Sequence, residues 1–264
     1  MLKATDLRLT FNPGTPIETQ ALRGMSLEIP TGQFVTVIGS NGAGKSTFLN
    51  AVSGEQKVDS GTIEIDGIDM TRQPVWGRAR HVARVFQDPL AGTCEDLTIE
   101  ENMALAKMRG ERRGFSFAVK PALREEFRAQ IATLGLGLEN RLSDRIGLLS
   151  GGQRQAVSLL MAALQPSRLL LLDEHTAALD PRTAAFVLEL TVRIVAEHKL
   201  TTMMVTHSMR QALDVGQRTV MLHQGRVVLD VSGKEREGLD VHHLLDMFEK
   251  VRGEKIDDDA LLLG

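Results

Sequence analysis

Apolar and polar positions alternate from Leu2 to Phe11 and again from Leu22 to Ile29, a period of two that predicts half-buried or antiparallel strands. The run Val35 to Gly39 has no charged position and predicts a strand buried on both faces, with a glycine-rich turn and a helix from Lys45 to about Val52 behind it. Further strand signals lie at Thr62 to Ile65, His81 to Phe86, Leu169 to Leu172, Thr201 to Val205, Thr219 to Leu222 and Arg226 to Val231. Helical patterns separate several of them. The chain therefore predicts an α/β fold with a mostly parallel sheet, joined by an antiparallel β part near the N-terminus.

From Thr98 to about Leu164 the alternation stops and only helical patterns remain, which reads as a helical insertion. Thr98 followed by Glu101 is a capping-box pattern for its first helix. Arg109 to Gly114 is a charged, glycine-flanked break, and Pro121 restarts a helix running to about Leu134. After Gly233 the stretch LDVHHLLDMFEKV predicts a terminal helix, and EKIDDDALLLG reads as a charged tail. The expected organisation is a core of residues 1–97 and 165–232, a helical subdomain of residues 98–164, and a C-terminal helix and tail of residues 233–264.

With 264 residues, 42% of them hydrophobic, the chain can bury a sizeable core. A formal net charge of -3 gives no global electrostatic reason to expect nucleic acid. Cys94 is the only cysteine, which removes an intrachain disulfide and a cysteine-rich metal site. The longest apolar runs fall short of the roughly 20 residues a spanning helix needs, and MLKATDLRLTF lacks the unbroken apolar core of a secretory signal. The expected location is the cytoplasm.

Candidate chemistry begins at Gly39-Ser40-Asn41-Gly42-Ala43-Gly44-Lys45-Ser46-Thr47, which fits G-x-x-x-x-G-K-[ST] between a buried strand and a helix. Glycines let the backbone curl so that successive N–H groups face phosphate oxygens, and the helix start adds partial positive charge. Lys45 is expected to reach the β- and γ-phosphates, and the Ser46 hydroxyl to bind Mg²⁺. This loop alone does not separate an ATPase from a GTPase or a small-molecule kinase. No N-K-x-D guanine-reading motif occurs in the chain.

A second signal is Leu169-Leu170-Leu171-Leu172-Asp173-Glu174, a short apolar run that ends in two acids, as at the C-terminal end of a buried parallel strand. Asp173 suits the Mg²⁺ shell, and Glu174 suits polarisation of a water for in-line attack on the γ-phosphate. A third is Leu149-Ser150-Gly151-Gly152-Gln153, where Ser150 is placed to cap the following helix.

With that string the chain resembles the ATP-binding cassette ATPases, whose signature is LSGGQ, and the resemblance runs from about Leu2 to Val231 with the motifs in the family's order. It implies that Gln87, in VFQDPL, joins the helical subdomain to the nucleotide site and approaches the metal. It implies a D-loop at Ala178-Leu179-Asp180-Pro181 centred on Asp180, a switch histidine at His207, and adenine stacking by Phe11. The chain departs from the family at His175, where proline is commoner. The family geometry also implies that the signature of one copy covers the ATP held by a second copy, giving an ATP-dependent homodimer.

The function so implied is that of an ATP-hydrolysing subunit, peripheral on the cytoplasmic face, that drives a separate integral membrane permease and works indirectly with an extracytoplasmic substrate-binding protein. Its helical insertion, with the Gln87 loop and the segment Asp88 to Leu97, is expected to dock on a cytoplasmic helix of that permease. FNPGTPIETQALRG, QDPLAGT and DEHTAALDP look most similar to cassettes of amino-acid importers, aromatic ones among them. The absence of a regulatory C-terminal domain argues against the sugar-importer type. The alternatives are a soluble relative acting on nucleic acid or ribosomes, and the motor of an exporter.

Overall fold

The computed structural model describes residues 1–111 and 119–252, so the break predicted at Arg109 to Gly114 lies partly outside the described residues and the charged tail wholly so. In chain order the first elements are β1 (Leu2–Phe11), β2 (Thr19–Ile29), β3 (Phe34–Ile38), α1 (Lys45–Ser53), β4 (Ser60–Ile65), β5 (Ile68–Asp69) and α2 (Val75–Arg78). Then come β6 (Val82–Val85), α3 (Ile99–Lys107), α4 (Pro121–Ala132), α5 (Gly151–Ala163), β7 (Leu169–Asp173) and α6 (Pro181–His198). The last are β8 (Thr202–Val205), α7 (Met209–Asp214), β9 (Arg218–His223), β10 (Arg226–Ser232) and α8 (Val241–Arg252). Two compact units divide them.

The first unit takes Met1–Arg78 and the chain from Leu200 onward. Its N-terminal part is an antiparallel sheet in the order β2-β1-β4-β5. In β1, Leu2, Ala4, Leu7 and Leu9 are buried and the intervening residues face outward, with irregular register after Ala4 where Asp6 takes a positive φ of 46°. The bulge explains how the buried positions pass from even to odd numbers within one strand. In the same unit β3 lies parallel to both β8 and β9, and β10 returns antiparallel along β9. All five residues of β3 are buried, as expected of a strand flanked on both sides. Thr36 is tolerated there because its hydroxyl bonds the Ala212 carbonyl at 3.0 Å and the Thr219 hydroxyl at 3.1 Å. Ile38, Met209, Ala212, Met221, Leu244 and Phe248 form a core cluster that seats α7 and α8.

The second unit, Ala79–Lys199, pairs β6 with β7 in parallel register and surrounds them with α3 to α6. Thr98 caps α3 in the reciprocal arrangement its spacing predicts, accepting from the Glu101 amide while Glu101 accepts from the Thr98 amide. Pro121 occupies the first turn of α4, where its missing N–H costs nothing. Arg109, mostly buried, donates to the carbonyls of Ala79, Ala162 and Gln165 and so occupies acceptors at the C-terminal end of α5. Burial pulls its guanidinium below the ordinary value, with the carbonyls as its compensation. Among the described residues no helix is long and apolar enough to cross a membrane.

Candidate functional site

Each unit gathers its own set of the residues singled out in the sequence. In the first, Gly39 leaves the C-terminal end of β3 with a φ of 148°, a conformation open to glycine alone. A Cβ at this position would stand 2.3 Å from the Leu222 carbonyl oxygen of β9. Ala43 and Gly44 are clamped from behind, because the β9–β10 turn residue Gly225 donates to the Ala43 carbonyl at 2.9 Å and accepts from the Arg23 amide at 3.0 Å. Asn41 and Gly42 are exposed at the tip, and Ser40 and Thr47 are half-buried. The loop is therefore fixed at its base and open at its crown.

Helix α1 starts from Gly44 and no side chain caps its first turn. Its N-terminal amides and their partial positive charge face the crown of the loop, a donor set that suits phosphate oxygens. Lys45 is buried, yet its ammonium donates to the Gly39 carbonyl at 2.7 Å and the Ser40 carbonyl at 3.2 Å, so the side chain folds back along the loop. Ser46, next in the helix, is exposed and offers a hydroxyl of the kind Mg²⁺ takes.

His207 follows β8, the parallel neighbour of β3, so Gly39 and His207 leave the sheet at the same end. The turn around it is pinned on both sides. Thr206 donates its amide to the Val37 carbonyl at 3.1 Å, and Ser208 caps α7 by accepting from the Gln211 amide at 3.2 Å. Phe11 is half-buried at the end of β1 opposite Thr19, two residues from Ala21, whose carbonyl lies against Gly44.

In the second unit Gln87 follows β6, Asp173 ends β7 and Glu174 follows it, so these three residues also leave one strand pair at one end. Asp173 accepts a 2.6 Å bond from Arg84, a partner that the sequence reading missed. Glu174 takes a positive φ of 45° and its carbonyl accepts from the Ala177 amide, turning the chain sharply out of the strand. His175 is fully buried and its Nε2 lies 2.9 Å from the Thr191 hydroxyl, which itself donates to the Val187 carbonyl at 2.8 Å. With its single hydrogen so used, the hydroxyl accepts from a neutral His175 carrying its proton on Nε2. Burial pushes the pKa of this histidine down to about 4.

Ser150 caps α5 reciprocally with Gln153 and is exposed together with Gly151, whereas Leu149 and Gly152 are buried. Arg154 fixes the approach to this turn by donating to the carbonyls of Ile146, Gly147 and Leu149. Asp180 caps α6 by accepting from the Thr183 amide at 3.1 Å, and the bonds from Thr183 hold its carboxyl below the usual range. Gly152 packs so closely on Thr183 that a Cβ would stand 2.1 Å from its methyl group, which brings the turns of Ser150 and Asp180 side by side. Gln155, fully buried, donates to the Phe86 carbonyl at 3.1 Å, directly ahead of Gln87. The segment from Cys94 to Thr98 is tied to α3 by the buried Asn102, which accepts from the Cys94 amide and donates to the carbonyls of Cys94, Leu97 and Thr98.

Comparison with known proteins identifies the family. The family model described as ABC transporter matches residues 22–177. The chain is 44% identical over 254 residues to a tyrosine transport ATP-binding protein of Clostridioides difficile, across 94% of this chain and 99% of the relative. It is 34% identical over 213 residues to an aliphatic sulfonates import ATP-binding protein of Agrobacterium fabrum, across 81% and 74% of the two chains. Among solved structures it is similar to a dimeric ATP-binding cassette in a post-hydrolysis state bound to ADP and Pi, with a TM-score of 0.74 and 28% identity over 88% of this chain and 98% of that one. The chain belongs to the ABC transporter family, as one of its ATP-binding, ATP-hydrolysing cassettes.

Proposed function

We propose that this cassette is the motor of an importer for amino acids, aromatic ones in particular, and acts from the cytoplasmic face on a separate membrane permease fed by an extracytoplasmic binding protein. The observation that carries this reading is the 44% identity to a tyrosine transport ATP-binding protein over nearly the full length of both chains. The phosphate loop Gly39 to Thr47 holds ATP, with Lys45 turning from its own loop carbonyls to the β- and γ-phosphates. Ser46, Asp173 and Gln87 would offer side-chain oxygens to Mg²⁺, which would supply charge neutralisation on the transferring phosphoryl group. Glu174 takes the proton of the attacking water, His207 hydrogen-bonds the γ-phosphate, and Phe11 stacks on adenine. Leu149 to Gln153 and Asp180 of a second copy complete the site, so that ATP binding closes a homodimer and hydrolysis releases it.

Two experiments test this reading. Glu174→Gln removes the base but not the binding loop: turnover is expected to fall by about 100-fold or more while ATP binding persists and a dimer accumulates on size exclusion. Undiminished hydrolysis refutes the assignment of Glu174. For the cargo, the complex with its permease and binding protein is reconstituted in vesicles with internal ATP. Tyrosine or phenylalanine uptake is expected, and uptake of alkyl sulfonates alone refutes the amino-acid reading.

A further inference from the structure

Helix α8 carries Leu244 and Phe248 four residues apart, on one face. Both are buried in the cluster that holds Ile38, Met209, Ala212 and Met221. Two members of that cluster lie at the root of the phosphate loop, since Ile38 immediately precedes Gly39 and Met221 is its register partner on β9. The Phe248 ring also stands edge-on to His223, with ring centres 5.5 Å apart and planes at 81°. His223 ends β9, and Gly225, two residues further on, donates to the Ala43 carbonyl at 2.9 Å. One side chain of the last helix thus fills the space behind both the root of the loop and the strand end that carries its brace.

We propose that Phe248 is a positioning residue for nucleotide binding, whose ring holds Ile38 and the end of β9 where they present the amides of Gly39 to Thr47 to phosphate. The inference rests on the reading of Gly39 to Thr47 as the phosphate-binding loop. A glycine-rich loop has many backbone states of its own, so its affinity depends on how much of its ordering is complete before the ligand arrives. That order is imposed from the base, by the close approach of the Leu222 carbonyl to Gly39 and by the Gly225 amide on Ala43. Both come from the end of β9 and the turn that follows it. Because the interior is close-packed, removing the ring leaves a cavity into which His223 and the strand end relax, and that movement reaches the loop. The turn of His207 is fixed separately, by the Thr206 amide on the Val37 carbonyl and by the Ser208 cap of α7. Loss of the ring therefore falls on nucleotide affinity and KM, with little effect on kcat.

The test uses the full chain, below its unfolding temperature, and reads the dissociation constant of a non-hydrolysable ATP analogue together with KM and kcat for ATP. Phe248→Ala is expected to weaken binding and raise KM about tenfold, with kcat at saturating ATP within about twofold of the native chain. Phe248→Leu leaves a smaller cavity, is expected to weaken binding about threefold, and carries the test where the alanine variant does not fold. Ile29→Val removes a methyl group at a fully buried position of the same unit, at the end of β2 away from Ala21. It is expected to lower the thermal midpoint and leave the affinity unchanged. Native affinity in the folded Phe248 variants, or an equal loss in Ile29→Val, overturns the inference; weakened binding in Lys45→Ala then leaves the loop reading intact. Native affinity in Lys45→Ala overturns both.

Discussion

Two glycines of the phosphate loop, three residues apart, make opposite demands on the fold, and replacing each with alanine separates loop stability from phosphate contact. At Gly39 an added Cβ would lie 2.3 Å from the Leu222 carbonyl oxygen and 3.1 Å from the Ala43 Cβ, at a φ of 148°. Leu222 is fully buried and its strand is bonded on one side to β3 and on the other to β10, so that carbonyl cannot retreat alone. Overpacking of about 1–3 kcal/mol adds to a backbone strain of about 1–3 kcal/mol, or about 4 kcal/mol together. At Gly42 the φ of 74° carries a similar conformational cost, but nothing lies within 4 Å of the added atom. Its loss is about 1 kcal/mol. At about 2–4 °C per kcal/mol, thermal unfolding of the nucleotide-free chain is expected to fall by about 10 °C for Gly39→Ala and by about 3 °C for Gly42→Ala. Omitting nucleotide keeps lost phosphate contacts out of the comparison. Equal falls for the two variants would refute the claim that the base of the loop is set by the β9 backbone.

Two further perturbations address parts of the second unit. The neutral, buried His175 ties stability to pH: its folded pKa, about 4, lies below the ordinary value of 6.5, so the unfolded chain takes up a proton first as pH falls. That contribution is present above pH 6.5 and is lost as pH falls toward 4, by about 3 kcal/mol in all. Chemical denaturation across this range, without metal or nucleotide, is expected to show a shallower loss in His175→Gln, which keeps a donor for Thr191; identical profiles refute it. Asn102→Ala removes four bonds from the segment Cys94 to Thr98 and is expected to cost about 2 kcal/mol and to speed maleimide labelling of the exposed Cys94; an unchanged labelling rate means that the segment is held otherwise.

Much of the architecture was legible because period and punctuation agree. β1 occupies the predicted Leu2 to Phe11, β3 and β7 lie within one residue of their predicted bounds, and both capping patterns, Thr98 with Glu101 and Ser150 ahead of Gln153, form as their spacing requires. Two-residue β5, four-residue α2 and six-residue α7 were not legible, since none spans enough of a period to register. β2 starts at Thr19, ahead of the predicted Leu22, because pairing with Phe11 extends an exposed, polar stretch that carries no alternation. Arg84 was missed for a different reason: one arginine in a strand ordinarily marks the solvent face. The available signal was that Val82, Ala83 and Val85 leave it no polar face, and such a residue requires an anion nearby. Gly225 carries no signal of its own in the sequence, and only the folded chain reveals that its turn braces Ala43.

The bond from Gln155 to the Phe86 carbonyl has a mechanical consequence. It welds the second turn of α5 to the residue that introduces Gln87, and Gln155 sits two residues past the end of the Leu149 to Gln153 turn. A displacement of the Phe86 carbonyl therefore loads α5 through this bond, and a rotation of α5 pulls in turn on the backbone that leads into Gln87.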